Sequence, residues 1–419
     1  MILNKNILYK GALIALFFMP VAIASAELNI VLSILLLLFV MMNFRHGYSR
    51  QLISTVLPLG IIVFLASIMA LFYSSEPYDR LKDFLFLLKP LLFIVLGYYF
   101  TSKCTDKQFI FKAIIYLAVF FAIWHIFQVF SWLATHRFGI TLIRNNFGKA
   151  NYIELFALVL LFIREKDRPF HISKQLTKVA KWILYVSFVL YFSRTMLVTL
   201  FVMLLAVYGY TKLTRKGIIY ISIILSAVVL FFVALQSMDI ERGGVGLEGF
   251  LYKIKNAPAE IFTSNVDVDN RAYLWDHWRG YEARMAFDQL AEIPSGAGFI
   301  FGKGIGALVD LQFVAPLNRE GIRYIPTLHN GFVYIMYKSG IIGLLFYFLF
   351  LLYTYMQTYK RTPDPKMQLV NNLISGIAIY FFFTTLIITG PYNHGDVITL
   401  ILGALLYVAH HNKNKATET

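Results

Sequence analysis

A histidine and two arginines carry the chemistry for which this sequence can be read. His329 stands in Pro326-Thr327-Leu328-His329-Asn330-Gly331, where a polar stretch gives way to an apolar one. A neutral imidazole there can accept a proton from a hydroxyl; its structural alternative is to cap or orient the helix that follows. Arg194 lies in Tyr191-Phe192-Ser193-Arg194-Thr195, between two apolar runs with no turn residues to separate them, and no Asp or Glu lies within four residues of it. Its guanidinium keeps its proton, and the amides of a helix capped by Ser193 add to it, so the pair suits a phosphate or diphosphate; contact with lipid headgroups is the plainer alternative. Arg271 follows Asp267-Val268-Asp269-Asn270, with Trp275 one turn on. Asn270 or Asp269 is the expected cap of a helix over 264–292. In that helix Arg279 has Asp276 and Glu282 three residues to either side, and Arg284 has Asp288 four residues on. Those two arginines read as paired surface charges. Arg271 has no such neighbour and is the better anion ligand.

Other polar groups form a wider set. Lys89 sits inside an apolar run just before Pro90, and reads either as snorkelling to the surface or as a substrate contact. The 134–150 stretch holds His136, Arg137, Arg144 and Lys149 without an acidic residue. That makes a basic rim for lipid headgroups or for an anionic lipid-linked substrate, through Arg137 and Arg144 in particular. His277 and His394 are weaker versions of His329. Two motifs fail on context. Asp267-Val268-Asp269 has the form used by metal-dependent sugar transferases, but helix capping accounts for it. Gly296-Ala297-Gly298 to Gly306 lacks the Lys-Ser or Lys-Thr of an ATP-binding loop, and reads as flexible turns. The single Cys104 excludes a disulfide framework or a cysteine metal site.

These groups must be held by a membrane protein. Hydrophobic residues make up 58% of the 419, charged ones 15%, and mean hydropathy is +0.66. A soluble domain could not hide that much apolar surface. A span needs roughly 20 apolar residues, and such runs fall near 8–25, 28–43, 52–73, 83–101, 109–133, 150–163, 179–193, 195–210, 217–236, 340–358, 369–388 and 396–410. The expectation is an all-α polytopic protein of about 12 transmembrane helices: nine over 1–236, one large polar segment over 237–339 with short helices, and three over 340–419. The net charge of +15 is distributed by side and not as a nucleic-acid surface. Loops on one side carry twenty Lys and Arg; the short loops on the other carry only Arg80, Lys82, Arg137, Arg144, Lys149 and Arg194. By the positive-inside rule both termini are cytoplasmic and the large segment faces outward, to the periplasm of a bacterium. Lys5, Lys10 and Ala24-Ser25-Ala26 resemble a cleavable signal peptide, but apolar sequence resumes at Leu28 and favours an uncleaved first span.

His329-Asn330, nine residues, Gly340, two residues, Gly343 resembles the pattern of the bacterial O-antigen ligase and polymerase superfamily. Ser193-Arg194-Thr195 between two spans, Asn270-Arg271 before Trp275, and Phe301-Gly302-Lys303-Gly304-Ile305-Gly306 follow in matching order. The resemblance implies a glycosyltransferase of the inner membrane that moves a glycan from undecaprenyl diphosphate, without metal or other cofactor. His329 would be the base; Arg194 and Arg271 would grip the diphosphate; Asn330, Trp275, Lys89, Arg137 and Arg144 would line the substrate path. The acceptor would be lipid A core in a ligase, or a growing lipid-linked glycan in a polymerase, with membrane lipids the other partners. The sequence departs from the Arg-x-x-x-Leu element of ligases, since Val198 follows Arg194 and Trp275 follows Arg271 at that spacing; the ligase reading is preferred and the polymerase kept open. A flippase for lipid-linked oligosaccharide is the rival from another class. It is disfavoured because no internal repeat or midplane charge pattern stands out.

Overall fold

Within a bilayer the backbone finds no water, so apolar runs close their hydrogen bonds internally as helices. The computed structural model describes residues 5–42, 49–136, 140–242, 247–263, 265–316, 321–360 and 362–417. A helix forms on every expected run: Lys5–Ala22 (α1), Ala26–Met42 (α2), Arg50–Met69 (α3), Pro77–Lys103 (α4) and Phe109–Leu133 (α5). A short Ile140–Asn146 (α6) precedes Asn151–Phe162 (α7), Lys174–Leu190 (α8), Arg194–Val207 (α9) and Arg215–Ser237 (α10). Next come Leu247–Lys255 (α11), Ala257–Phe262 (α12), Arg271–Asp276 (α13), Trp278–Ala291 (α14) and Ala297–Phe301 (α15). After a hairpin of Val309–Ala315 (β1) and Ile322–Ile325 (β2), the chain ends with Gly331–Tyr355 (α16), Pro365–Ile387 (α17) and Ile398–Thr417 (α18). Seven of these, α1, α3, α4, α5, α10, α16 and α17, are long and apolar enough to cross a membrane; α2, α7, α9 and α18 are apolar but shorter. The protein is therefore a largely helical membrane protein. α4 and α17 form its buried centre, while α10 keeps only Gly217 and Leu235 from the surroundings.

Three local features differ from expectation. The large polar segment, expected to hold short helices, also supplies β2, which pairs antiparallel with β1 through Val309↔Ile325 and Asp310↔Tyr324. Arg323 clamps Asp310 across the pair with two bonds of 2.8 Å. A register shift between Asp310 and Ala315, with Gln312 at φ 64°, breaks the alternation that would have marked a strand. The expected helix over 264–292 is two helices, because His277 leaves the helical region (φ −125°, ψ 20°). The helix expected from residue 340 starts at Gly331, where the Asn330 side chain caps the amides of Phe332 and Val333 at 3.1 and 3.3 Å.

Gly340 then kinks α16 at φ 66°, ψ −171°, and a Cβ there would lie 2.0 Å from the Ile300 carbonyl oxygen. The kink spares the carbonyls of Tyr337 and Lys338, which accept from the amides of Lys303 and Gly304 at 2.8 and 3.0 Å. The Gly-rich segment is thus not a flexible turn. Its next amides bond Ala66 of α3 (Ile305, 3.0 Å) and the Asp83 carboxylate of α4 (Gly306, 2.7 Å), so it laces three helices together. Irregular backbone survives at such a place only when buried protein satisfies it. The same carboxylate pairs with the Lys338 ammonium, which also donates to Ala307 at 2.6 Å. Both side chains are 1% exposed. Lys338→Met should cost about 3–5 kcal/mol by leaving Asp83 charged and unpaired, read as a lower unfolding midpoint in detergent. Adding Asp83→Leu should restore part of the loss.

Candidate functional site

The site is organised by α14. Glu282, 3% exposed, points from this helix to the start of α16. Its carboxylate accepts the indole N–H of Trp278 one turn earlier, the backbone N–H of His329 at 3.1 Å, and His329 Nδ1 at 2.9 Å. A carboxylate that takes these donors leaves Nδ1 carrying the hydrogen and Nε2 with a free lone pair. The His329 side chain is 50% exposed, so that lone pair is available to a reactant. The pair sets an imidazole against an orienting carboxylate, an arrangement that can serve general-base chemistry. His329 is positioned by two further contacts: Leu328 is buried beside it, and Asn330 spends its side-chain oxygen capping α16.

On the same helix, three residues before Glu282, Arg279 enters a cavity of about 340 Å³. Arg144 of α6, Arg194 of α9, Lys253 of α11 and Arg279 supply four cations to its wall. Glu260 and Asp276 are its carboxylates, and Tyr252, Asn256 and Trp275 complete it. Asp276 is already engaged by Arg242 at 2.7 Å and by the Tyr252 hydroxyl at 3.0 Å. Positive charge is therefore in excess. Burial pushes the Lys253 ammonium below its ordinary range, and Arg144 and Arg194 push it further. Arg194 follows Ser193, whose side chain caps α9 by accepting from Met196, as expected. Its guanidinium donates to the Lys253 carbonyl and faces Glu260 at 3.7 Å, so it has a partner 66 residues away in sequence where none lay nearby. Arg279 pairs with Glu260, not with Asp276 or Glu282 as helical spacing suggested. Arg284 does take Asp288, at 3.5 Å.

Trp275 joins the two halves. It lines the cavity and lies 5.1 Å, ring to ring, from Trp278, whose indole bonds Glu282. Arg271 begins α13 one turn before Trp275, capped as expected by Asn270. It is exposed, has no partner among the described residues, and does not line the cavity. Asp269 donates its amide to Asp267 at 3.0 Å, a local turn. Lys89 does not snorkel: it is buried, and its ammonium donates to the carbonyls of Asn393, His394 (2.9 Å) and Asp396 (3.1 Å). It is not brought to the cavity. His394 lies against Phe86 at 4.4 Å, and His277 bonds the Tyr273 carbonyl at 2.9 Å. Arg137 lies outside the described residues.

Sequence reasoning missed Glu282, Lys253, Glu260 and Arg279 as site members. Glu282 carried one usable sign: it is four residues after Trp278 and seven after Trp275, a lone carboxylate on an aromatic helix face. The others depend on α11 and α12 folding back over α9, which no local spacing signals.

Residues 179–348 match a protein-family model described as O-antigen ligase. The matched range begins within α8 and ends within α16, and it holds His329, Glu282, Arg271 and every residue of the cavity wall except Arg144. It bears out the resemblance to the O-antigen ligase and polymerase superfamily and supports a ligase-like glycosyl transfer. No curated protein sequence matches the chain. The dyad geometry has a direct spectroscopic consequence. In protein labelled with ¹⁵N-histidine, neutral His329 should be predominantly the Nδ1–H tautomer, and Glu282→Ala should produce a mixture; an Nε2–H tautomer in the unsubstituted chain would contradict the assignment.

Proposed function

Taking the superfamily match over α8–α16 as premise, we propose that this protein transfers a glycan from undecaprenyl diphosphate to a sugar hydroxyl at the outward face of a bacterial inner membrane. His329 Nε2 removes the proton of the acceptor hydroxyl as its oxygen attacks the anomeric carbon of the donor. The carbon–oxygen bond to the diphosphate breaks, and undecaprenyl diphosphate departs with the electron pair. Glu282 holds the imidazole and offsets the positive charge it acquires. Arg194 and Arg279, with Arg144 and Lys253, face the charge that grows on the departing diphosphate, where fixed cations stabilise a transition state most. Arg271 stands one turn from the cavity wall and meets the donor on its way in.

The observation that carries this reading is the spacing on α14. Arg279 of the cavity and Glu282 of the dyad are three residues apart, about 4.5 Å along a helix axis, which sets the orienting group of the base close to a cavity that His329 itself does not line. The acceptor is lipid A core in the ligase form of the proposal. Because neither Arg194 nor Arg271 is followed by the ligase Leu, a second lipid-linked repeat, as in a polymerase, is the alternative.

The test is transfer by the purified protein from a lipid-linked donor, with lipid A core and lipid-linked repeat offered separately. His329→Ala should lower transfer by about 10²–10⁴-fold without loss of donor binding. Arg194→Lys should lower it about tenfold or more, since the bidentate fork is lost while charge is kept. Equal rates for Arg and Lys would rule out direct diphosphate contact. In cells, His329→Ala should leave precursor on the outer face; precursor trapped in the cytoplasmic leaflet would mark a flippase instead.

A further inference from the structure

Glu260 is the unexplained member of the cavity. It is carried by α12, a short helix that packs on α14. One of its carboxylate oxygens pairs with Arg279, and the other faces Arg194 at 3.7 Å. A single carboxylate thus bridges the two guanidiniums that the proposed chemistry needs for a leaving group. It does so loosely. The Arg194 contact is longer than a hydrogen bond, and Arg279 keeps a buried Nε–H with no partner among the described residues. Lys253 and Arg144, on the same wall, form no ion pair among the described residues. The wall therefore sets one bridging carboxylate beside two exposed cations that lack an ion pair and one buried N–H that lacks an acceptor among the described residues. An unspent buried donor in a charged wall costs free energy until an acceptor arrives.

We infer that Glu260 is a displaceable stand-in for the substrate's diphosphate, and that it sets a threshold for entry to the cavity that two linked phosphates clear and one phosphodiester does not. This rests on the reading of the cavity as the diphosphate site. A ligand that expels Glu260 must supply an anion to each arginine and, in addition, must answer Lys253 and Arg144. Two linked phosphates do this. The single phosphodiester of an ordinary phospholipid headgroup carries one negative charge, and exchanging it for a bridging carboxylate gains nothing while it gives up the α12 contact. That matters for a protein embedded in phosphodiester lipids, which surround its cavity in great excess over any diphosphate. Discrimination of this kind works by penalising the wrong ligand as well as by fitting the right one. It explains why a site built to grip an anion carries a carboxylate at its centre. The alternative is a purely structural Arg–Glu–Arg link docking α12 to α9 and α14.

The test is binding of two probes, an isoprenyl diphosphate and phosphatidylglycerol, to the full-length purified protein, its Glu260→Gln variant and its Glu260→Asp variant. The unsubstituted protein should prefer the diphosphate. Glu260→Gln removes the competing charge, so affinity for both probes should rise about tenfold, the scale of one charge-assisted bond, and phosphatidylglycerol should begin to occupy the cavity. Glu260→Asp keeps the charge and should keep both affinities low. A structural link predicts another pattern: Gln would weaken both probes, or leave both affinities unchanged, and either result overturns the inference while the diphosphate site stands. If the unsubstituted protein binds neither probe, the cavity is not an anion site, and both the inference and the reading beneath it fall.

Discussion

A carboxylate out of water is stable only when its lone pairs are taken, and the site depends on how Glu282 meets that requirement. Its partners come from two elements: Trp278 on its own helix, and both the ring and backbone nitrogens of His329 at the start of α16. Leaving such a group unpaired would cost several kcal/mol, so the contact fixes α14 against α16 as firmly as it fixes the imidazole. The rest of α14 is held by similar means. Gln289 exchanges bonds with the Asp310 backbone at 2.9 and 3.2 Å, and Tyr337 of α16 donates to the same Gln289 side chain at 3.1 Å. These bonds tie the β1–β2 hairpin, α14 and the first half of α16 into one unit. His329 and Arg279 are fixed to it.

Two kinds of charge are separated by their partners. Lys338 and Lys89 are buried and fully engaged, one by Asp83 and one by carbonyls before α18. They serve the fold, compensating backbone that the kink at Gly340 and the turn over 393–396 leave irregular. Arg144 and Lys253 are exposed at the cavity wall, and Arg279 beside them keeps a buried Nε–H with no acceptor among the described residues. Charge of the first kind is architectural; charge of the second kind can meet an incoming anion.

The helical runs were legible because a bilayer enforces length and apolarity, signals carried by every residue of a span. The caps at Ser193 and Asn270 were legible for the same local reason, that the residue type and the next turn suffice, whereas the Asn330 cap was not, because the helix was expected to start at residue 340. His329 and Arg194 stood out by position at the ends of apolar runs. Their partners did not. Glu282 lies 47 residues from His329, and Glu260 lies 66 from Arg194, so both pairings are products of tertiary folding. Lys89 looked functional because a lone ammonium in an apolar run demands a reason, and the reason, three carbonyls some three hundred residues away, was invisible. The Gly-rich stretch looked mobile because glycine permits motion; here it permits close approach instead, against the kink at Gly340. The bulged hairpin hid because its alternation is interrupted at Gln312.

The central claim is that one helix sets a catalytic imidazole beside a diphosphate seat. A cryo-electron-microscopy structure of the full chain with a bound isoprenyl-diphosphate-linked sugar tests it most directly. The account predicts both phosphates between Arg194 and Arg279, with the anomeric carbon turned toward the open nitrogen of His329. A diphosphate seated elsewhere, with α14 untouched, would contradict it.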